Sequence, residues 1–192
     1  MTAQEQYNNS EFFPTPYELC VATLEKWSTE LQLDTVSVLD PGAGDGTWGK
    51  AFRELYGPYA DIYGLDIRDI EKPERYDYWE RGDYLKDEFF GGQKFDLIMG
   101  NPPYSLVREF IEKSYSLLNP DGYLVFLTRL AFLEGQDRYR TFWPHYTPKY
   151  VYVLSKRPSF TQDGRTDTKT AYSMIMWQKD YEGEPTLRWL MW

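Results

Sequence analysis

Cysteine and histidine are almost absent from this 192-residue sequence, which contains one of each, Cys20 and His145. A single cysteine excludes an internal disulfide, and a single histidine leaves too few nitrogen and sulfur ligands for an ordinary structural zinc site. Hydrolases that rely on a serine and a histidine are poorly supported for the same reason. We therefore expect a function that needs no metal ion.

Long apolar segments are also missing. No stretch approaches the roughly 18 to 20 apolar residues that a membrane-spanning helix requires. The first residues, MTAQEQYNNSEFF, contain neither the basic cluster nor the apolar run of a signal peptide. These absences predict a cytoplasmic protein with no membrane partner.

Nothing in the sequence divides the chain into parts. It has no internal repeat, no low-complexity tract and no Gly/Ser linker. Its length and its content of 42% hydrophobic and 18% aromatic residues fit one globular domain with a substantial core. We expect residues 1–192 to form a single domain, without a separate target-recognition domain.

Basic residues are outnumbered, 21 against 30 acidic ones, which gives a formal net charge of −9. This balance argues against a protein that holds nucleic acid through its overall charge alone. Between Arg129 and Thr170, however, eight basic and four acidic residues give a local charge of +4 and leave −13 for the rest. This segment is either ordinary surface unevenness or a basic region that faces a polyanion.

Strand and helix patterns alternate along most of the chain. Thr15 and Pro16 are typical of the N-cap and first residue of a helix, which we expect to extend to about Gln32. Short apolar runs predict strands at 36–39, 61–67, 95–100, 123–127, 150–154 and 171–177, with a shorter segment at 81–85. The alternation predicts a mostly parallel α/β sheet whose last pair is an antiparallel hairpin.

A glycine-rich turn, Asp-Pro-Gly-Ala-Gly-Asp-Gly at 40–46, follows the first predicted strand. Ligands of open α/β sheets bind beyond the carboxyl ends of the strands, where glycines let backbone N–H groups approach them. Asp66 lies about 20 residues further on, where a carboxylate can accept hydrogen bonds from a ribose diol. The glycine spacing departs from the dinucleotide fingerprint, and Asp40 suits a cationic ligand such as S-adenosylmethionine better than a phosphate. A plain strand-to-helix turn is the alternative.

Residues 101–104, Asn-Pro-Pro-Tyr, follow the predicted strand at 95–100. Two prolines after a buried strand cannot donate to a sheet and form a rigid loop. An aromatic amine such as adenine N6 is a poor nucleophile because its lone pair is delocalised, and two hydrogen-bond acceptors would localise that pair. The Asn101 side-chain oxygen and the Pro102 carbonyl are candidate acceptors, and Tyr104 offers a face for stacking. A rigid strand-terminating turn is the alternative.

Three motifs together resemble those of the S-adenosylmethionine-dependent N6-adenine DNA methyltransferases in which the cofactor motifs precede the catalytic one. Many of these are small enzymes of phages and restriction-modification systems. The N-terminal cofactor motif is similar to Phe-Phe-Pro-Thr-Pro at 12–16, the glycine motif to 40–46 and the catalytic motif to 101–104, and the resemblance extends from about Phe12 to Trp177. It implies a Rossmann-like class I methyltransferase fold with a seven-stranded sheet, and S-adenosylmethionine as cofactor.

The resemblance also implies roles for individual residues. The implied cofactor-binding residues are Phe12, Thr15, Asp40, Pro41, Gly42, Gly44, Asp66 and Asp83. The implied catalytic residues are Asn101, Pro102, Pro103 and Tyr104. Members of the class pack the flipped base against an aromatic residue late in the chain, for which Phe160 is the candidate here, with core packing as the alternative.

Target specificity has few possible sources in this chain. Sequence-specific members usually carry an additional recognition domain, for which a 192-residue chain has no room. We expect specificity from the segments 130–148 and 155–170, from a specificity subunit or from a second copy. The side chains expected to contact DNA phosphates are Arg138, Arg140, Arg157, Arg165 and Lys169, each of which has an ordinary surface charge as its alternative. The apolar tail at 187–192 is either a final strand or a contact with a second copy.

Methyl transfer to adenine N6 in DNA, with the base flipped out of the helix, is the leading interpretation. The same fold acting on RNA adenine or protein glutamine is a second one, because Asn-Pro-Pro-Tyr also resembles the catalytic motif of release-factor glutamine methyltransferases. A non-catalytic cofactor-binding or DNA-binding subunit is a third. A nicotinamide-dependent dehydrogenase is disfavoured by the glycine spacing.

Overall fold

The computed structural model describes residues 13–28, 36–160 and 169–192, and the structural statements below concern these residues. Four α-helices alternate with strands over most of the described chain. The helices are α1 (Tyr17–Ser28), α2 (Thr47–Tyr56), α3 (Val107–Leu117) and α4 (Gln136–Thr141). The strands are β1 (Val36–Pro41), β2 (Ala60–Asp66), β3 (Tyr78–Arg81), β4 (Phe95–Gly100), β5 (Leu118–Arg129), β6 (Tyr150–Leu154), β7 (Tyr172–Gln178) and β8 (Thr186–Leu190).

The strands form one eight-stranded sheet in the order β3-β2-β1-β4-β5-β7-β6-β8. Strand β7 is antiparallel to both of its neighbours, β5 and β6, and the other pairs are parallel. The predicted α/β architecture with an antiparallel pair late in the chain is therefore confirmed. The described sheet has one strand more than the seven expected, because the apolar tail adds β8 beside β6.

Two boundaries differ from the sequence-based expectation. The third strand is β3 at 78–81 rather than the segment 81–85, because backbone pairing with β2 stabilises a short edge strand that has no apolar run. Helix α1 begins one residue late, since its first bonds go from Leu19 N–H and Cys20 N–H to the Pro16 carbonyl. Thr15 thus lies one position before the N-cap, and the predicted end near Gln32 falls outside the described residues.

Each face of the sheet carries its own apolar layer. Helices α1 and α2 cover one face with side chains such as Leu24, Trp27 and Phe52, while Phe110 of α3 and Phe142 cover the other. The central strands are buried from both sides, which explains why β4 is an almost continuous apolar run. In the described part of the chain, no helix is long and apolar enough to cross a membrane.

The order of the strands determines where a ligand can bind. The chain passes from β1 to β2 on one side and later returns to β4 on the other side of β1. This reversal opens a crevice at the carboxyl ends of β1 and β4, where open α/β sheets hold their ligands. The glycine turn after β1, Asp66 at the end of β2 and Asn101 after β4 all lie at this edge.

Candidate active site

A cavity opens at the carboxyl edge of β1, β2 and β4. Its wall contains parts of all three motifs that the sequence singles out, so residues far apart in the chain meet here. The lining residues are Phe13, Pro14, Thr15, Gly42, Ala43, Gly44, Asp45, Thr47, Trp48, Asp66, Ile67, Arg68, Asn101 and Pro103. The predicted cofactor residues Thr15, Gly42, Gly44 and Asp66 are among them.

The glycine turn is shaped by left-handed backbone conformations. Gly42, Gly44 and Gly46 have φ angles of 83°, 63° and 81°, which side-chain-bearing residues rarely adopt. A Cβ at Gly46 would lie 2.5 Å from Cβ of Pro73, whereas a Cβ at Gly42 would meet no atom within 4 Å. The turn is therefore packed on its inner side and open toward the cavity at Gly42, where a ligand can approach the backbone.

Asp66 connects the glycine turn to strand β2. Its carboxylate accepts hydrogen bonds from Gly44 N–H (3.0 Å) and from Arg68 N–H (2.9 Å). The Arg68 guanidinium adds two more, from Nε at 2.9 Å and from NH2 at 3.0 Å. Both carboxylate oxygens are thus already engaged, so a ribose diol can be bound at Asp66 only if the Arg68 guanidinium turns away.

Asp40 lies beneath the cavity rather than in its wall. The side chain is fully buried, and its Oδ2 accepts a 2.6 Å hydrogen bond from the Tyr76 hydroxyl. The Tyr76 ring fits only because Gly49 and Gly64 have no side chains, since a Cβ at either position would lie 2.5 Å from the ring. Asp40 does not line the cavity among the described residues, so its predicted contact with a cofactor is not seen in this geometry.

Burial raises the pKa of the Asp40 carboxyl from its usual 3.8 to about 7, although the hydrogen bond from Tyr76 lowers it. The neighbouring carboxylates Asp66 and Asp45 add to the increase. Between pH 3.8 and about 7 the unfolded chain releases this proton while the folded chain keeps it. The contribution of Asp40 to the free energy of unfolding is therefore most favourable below pH 3.8 and falls as the pH rises to about 7. Above that value it is constant.

We predict that Asp40→Asn removes this pH dependence. From pH 5 to pH 8 the free energy of unfolding of the wild-type protein should fall by roughly 3 kcal/mol relative to the variant, because asparagine does not ionise. Urea denaturation of both proteins at the two pH values measures the difference. Parallel pH profiles would show that Asp40 does not carry the effect.

Asn101 is held in one orientation by a distant segment. Its Nδ2 donates a 2.9 Å hydrogen bond to the Phe13 carbonyl, 88 residues earlier in the chain. Its Oδ1 is buried and has no hydrogen-bond partner among the described residues. Of the two following prolines, Pro103 lines the cavity, whereas Pro102 is buried and is not among the described lining residues. We call residues 101–104 the elbow, which therefore presents an unsatisfied acceptor beside the glycine turn.

An aromatic cluster adjoins this elbow. The Phe13 ring is stacked on Tyr104, with centroids 5.6 Å apart and an angle of 23° between the rings. Phe160 packs edge-on against Phe13 at 5.5 Å, and Tyr172 lies 5.3 Å from Phe160. The Arg129 guanidinium carbon lies 5.0 Å from the centre of the Tyr104 ring. The predicted stacking residues Tyr104 and Phe160 thus come together, and Phe13 covers one face of Tyr104.

The remaining predicted site residues are scattered. Asp83 occupies a turn, where its backbone N–H donates to Asp87 and its carboxylate pairs with Lys86 at 2.8 Å. It does not line the cavity among the described residues, because β3 ends at Arg81, two residues earlier. Pro41 ends β1, is buried and is not among the described residues that line the cavity. Phe12 and Arg165 lie outside the described residues.

Intramolecular contacts involve the phosphate-contact candidates Arg138 and Arg157. The Arg138 guanidinium donates to the Glu134 carbonyl and covers the Phe132 ring at 5.1 Å. Arg157 Nε donates to the Thr170 carbonyl at 3.1 Å, although its side chain is exposed. Arg140 and Lys169 are also exposed. Their contact with DNA remains a prediction.

Sequence reasoning missed several residues of the site. Trp48, at the start of α2, lines the cavity and is 3% exposed, and its Nε1 has no hydrogen-bond partner among the described residues. Arg129 and Tyr172 are register partners on the antiparallel strands β5 and β7. No local pattern could indicate that pair, because strand register emerges only when the sheet forms. Trp48 was detectable, since it lies two residues after the glycine turn.

The chain is similar to known methyltransferases in sequence and in fold. Residues 16–162 match the methyltransferase domain family. The type II methyltransferase M.TthHB8I of Thermus thermophilus is 32% identical over 137 residues, which cover 52% of this chain and 31% of that protein. This chain therefore matches less than a third of that relative's length.

Two solved structures show the same fold. One is described as a class I S-adenosylmethionine-dependent methyltransferase from Listeria monocytogenes, with a TM-score of 0.68, 17% identity and coverage of 92% of this chain and 64% of that one. The other is a methyltransferase subunit of a type I restriction-modification system from Streptococcus thermophilus. It has a TM-score of 0.69 and 15% identity, and the match covers 90% of this chain and 46% of that one.

The cavity suits S-adenosylmethionine in its chemistry. It combines a carboxylate at a strand end, an apolar wall from Ile67 and Trp48, and open space above the backbone at Gly42. The Trp48 Nε1 donor in this wall lacks a partner among the described residues, as expected of a group that a bound ligand satisfies. From its sequence match and its fold, the chain belongs to the methyltransferase domain family, and its cofactor is S-adenosylmethionine.

Proposed function

We propose that this protein transfers a methyl group to N6 of adenine in DNA, with the target base flipped out of the helix. The observation that carries the proposal is the buried Asn101 Oδ1, an acceptor without a hydrogen-bond partner among the described residues, in the wall of the cofactor cavity. A buried polar atom of this kind costs about 1–3 kcal/mol unless a ligand satisfies it. The N–H group of an aromatic amine is a donor of the required kind.

The choice of DNA rests on known relatives. M.TthHB8I is named as a type II methyltransferase, and the structure from Streptococcus thermophilus belongs to a restriction-modification system. That second protein is a subunit, which supports the proposal that a partner contributes to specificity here as well. Methylation of DNA in a restriction-modification system is therefore the role that we propose for this chain.

We propose that residues from two parts of the cavity wall bind the cofactor. Gly42, Gly44 and Asp66 would hold the cofactor, and Asp66 would accept the ribose hydroxyl groups once Arg68 has turned away. When bound, S-adenosylmethionine supplies a methyl carbon made electrophilic by the adjacent sulfonium. The segment around Phe13 closes the side of the cavity nearest Asn101.

The elbow would prepare the amine for attack. Asn101 Oδ1 would accept a hydrogen bond from the N6 amine and shift its lone pair away from the ring. Because Nδ2 is bound to the Phe13 carbonyl, the amide cannot rotate to present a donor to the amine without losing that bond. The Pro102 carbonyl is proposed as the second acceptor, with Pro103 keeping the loop rigid.

The aromatic cluster of Phe13, Tyr104, Phe160 and Tyr172 is the proposed binding site of the target base. Tyr104 is proposed to stack on the flipped adenine and Phe160 to pack against it. The Phe13 ring lies on the Tyr104 face. If the base stacks on this same face, Phe13 must move aside as it enters.

Transfer of a labelled methyl group tests the proposal. We expect incorporation into unmethylated DNA, and mass spectrometry of the digested product should identify N6-methyldeoxyadenosine. Incorporation should decline steeply with salt, because a local excess of basic residues competes with the negative charge on the rest of the chain.

Parallel reactions with RNA and with a glutamine-containing release-factor peptide discriminate the alternative substrates. Preferential labelling of either would replace DNA adenine as the substrate. Cofactor binding without methyl transfer to any substrate at low salt would favour a non-catalytic subunit instead.

A further inference from the structure

Strand β8 forms one edge of the described sheet and, together with Met191 directly after it, carries an apolar stripe on one face. Leu187, Trp189 and Met191 are 54%, 68% and 85% exposed, although they are large hydrophobic side chains. They alternate with Arg188 and Leu190, whose side chains turn to the other face. We call Leu187, Trp189 and Met191 the edge stripe.

The backbone of the edge stripe also points outward. Thr186 N–H donates to the Lys149 carbonyl, and the Leu190 carbonyl accepts from Ser155 N–H, so the even-numbered residues of β8 bond to β6. Because successive residues of a strand direct their backbone groups to opposite sides, the N–H and C=O of residues 187, 189 and 191 face the open edge. The same three residues thus offer both apolar side chains and backbone hydrogen-bonding groups.

Natural sheets usually protect such an edge with short strands or charged side chains. The opposite edge, β3, follows this rule, since it has four residues and includes Glu80 and Arg81. In β8 the charged residue does not protect the edge, because the Arg188 guanidinium lies 4.0 Å from the Tyr150 ring centre, over the neighbouring strand. An open, apolar edge of this kind is a template for strand pairing.

We propose that β8 pairs antiparallel with β8 of a second copy of this chain, in a register centred on Trp189. In this register Trp189 lies opposite Trp189 of the second copy, and Leu187 lies opposite its Met191. All three pairs are of the hydrogen-bonded type, which gives about six backbone bonds across the two-fold axis. Directly opposite residues share a face, so the two edge stripes merge into one apolar surface.

The neighbouring register is less favourable for two reasons. If the axis passed through residue 188, Arg188 would face Arg188 of the second copy, and like charges directly opposite are destabilising. Met191 would then face Pro185, which has no N–H group to donate. The sequence of β8 therefore favours the register centred on Trp189.

The charges at the two ends of β8 also favour a second copy of this chain as its pairing partner. The exposed acidic residues Glu182 and Glu184 precede β8, while Lys156 lies 4.3 Å from the Trp192 ring centre at the other end. Antiparallel pairing brings the acidic end of each β8 close to the basic end of the other. Thr186 of one copy would face Trp192 of the second, which places Glu184 within reach of its Lys156.

Sedimentation equilibrium tests the pairing. We expect the wild-type protein to form a dimer in a concentration-dependent manner. Trp189→Lys should raise the dimer dissociation constant by roughly 10- to 100-fold, because it removes the central side chain and places two ammonium groups side by side. Tyr59→Lys is the matched control, since Tyr59 is 78% exposed and lies outside β8. A wild-type protein that stays monomeric, or equal effects of both substitutions, would overturn the proposal.

Disulfide trapping tests the register directly. Leu187→Cys and Met191→Cys proteins, mixed under oxidising conditions, should form a covalent dimer, because paired Cα atoms about 5.5 Å apart suit a disulfide. Neither variant should cross-link alone, since each cysteine would face a residue of the other type. The native Cys20 is fully buried and does not interfere. Cross-linking of either variant alone, or none in the mixture, would contradict the register.

Discussion

Replacing Asn101 with alanine should lower the rate of methyl transfer to adenine by about 100- to 1,000-fold, the usual effect of removing one preorganised hydrogen-bonding group from a transition state. The loss should appear in kcat, because Oδ1 strengthens its hydrogen bond as the amine becomes the nucleophile. Cofactor affinity should change little, since the proposed cofactor contacts come from β1 and β2. Single-turnover transfer of a labelled methyl group and isothermal titration calorimetry measure the two quantities.

Asn119→Ala is the matched control for this prediction. Asn119 donates to Asp96 at 2.7 Å near the amino end of β5, at the sheet edge opposite the cavity. Its replacement should leave the transfer rate unchanged even if it lowers stability. A rate for Asn101→Ala close to that of the wild-type protein would remove the asparagine from the mechanism.

Asp66→Ala should weaken cofactor binding by about 100-fold, because a buried carboxylate that accepts charge-assisted hydrogen bonds contributes about 1.5–3 kcal/mol for each bond lost. The substitution also releases Gly44 N–H, which Asp66 holds at 3.0 Å, so the glycine turn loses an anchor. Calorimetric titration with S-adenosylmethionine measures the loss. Asp61→Ala is the control, since Asp61 is an exposed residue near the amino end of the same strand.

Arg68→Ala separates the two roles of Asp66. If Asp66 binds the ribose, removing the guanidinium frees one acceptor position on each carboxylate oxygen, and cofactor affinity should stay equal or increase. If Arg68 itself contacts the cofactor, affinity should fall. Unchanged affinity in Asp66→Ala would show that the carboxylate only supports the glycine turn.

The strands that could be predicted from the sequence are those buried on both faces. Strands β4 and β5 combine apolar runs with sharp ends, and such runs are favourable only inside a sheet. Strand β3 was missed because an edge strand of four residues needs no apolar pattern once β2 offers its backbone. The tail allowed two interpretations because apolar content indicates burial or contact, but not the partner.

The residues of the candidate site also differ in how well the sequence predicts their positions. The glycine turn, Asp66 and Asn101 were predictable because their residue types and their positions at strand ends follow from local chemistry. The family resemblance also placed Asp83 at the cofactor site, but β3 ends at Arg81, two residues before it, and the Asp83 carboxylate pairs with Lys86.

The sequence by itself determined the order of strands and helices, the chemistry of the three motifs and their common location at one edge of the sheet. Only the tertiary structure decided how the groups are oriented. The Phe13 carbonyl fixes the Asn101 amide, Arg68 covers Asp66, and Tyr76 holds Asp40 below the cavity. The physical reason is that each of these orientations depends on hydrogen bonds and packing that form only when the elements meet, and in two of the three cases the partners lie far apart in the chain.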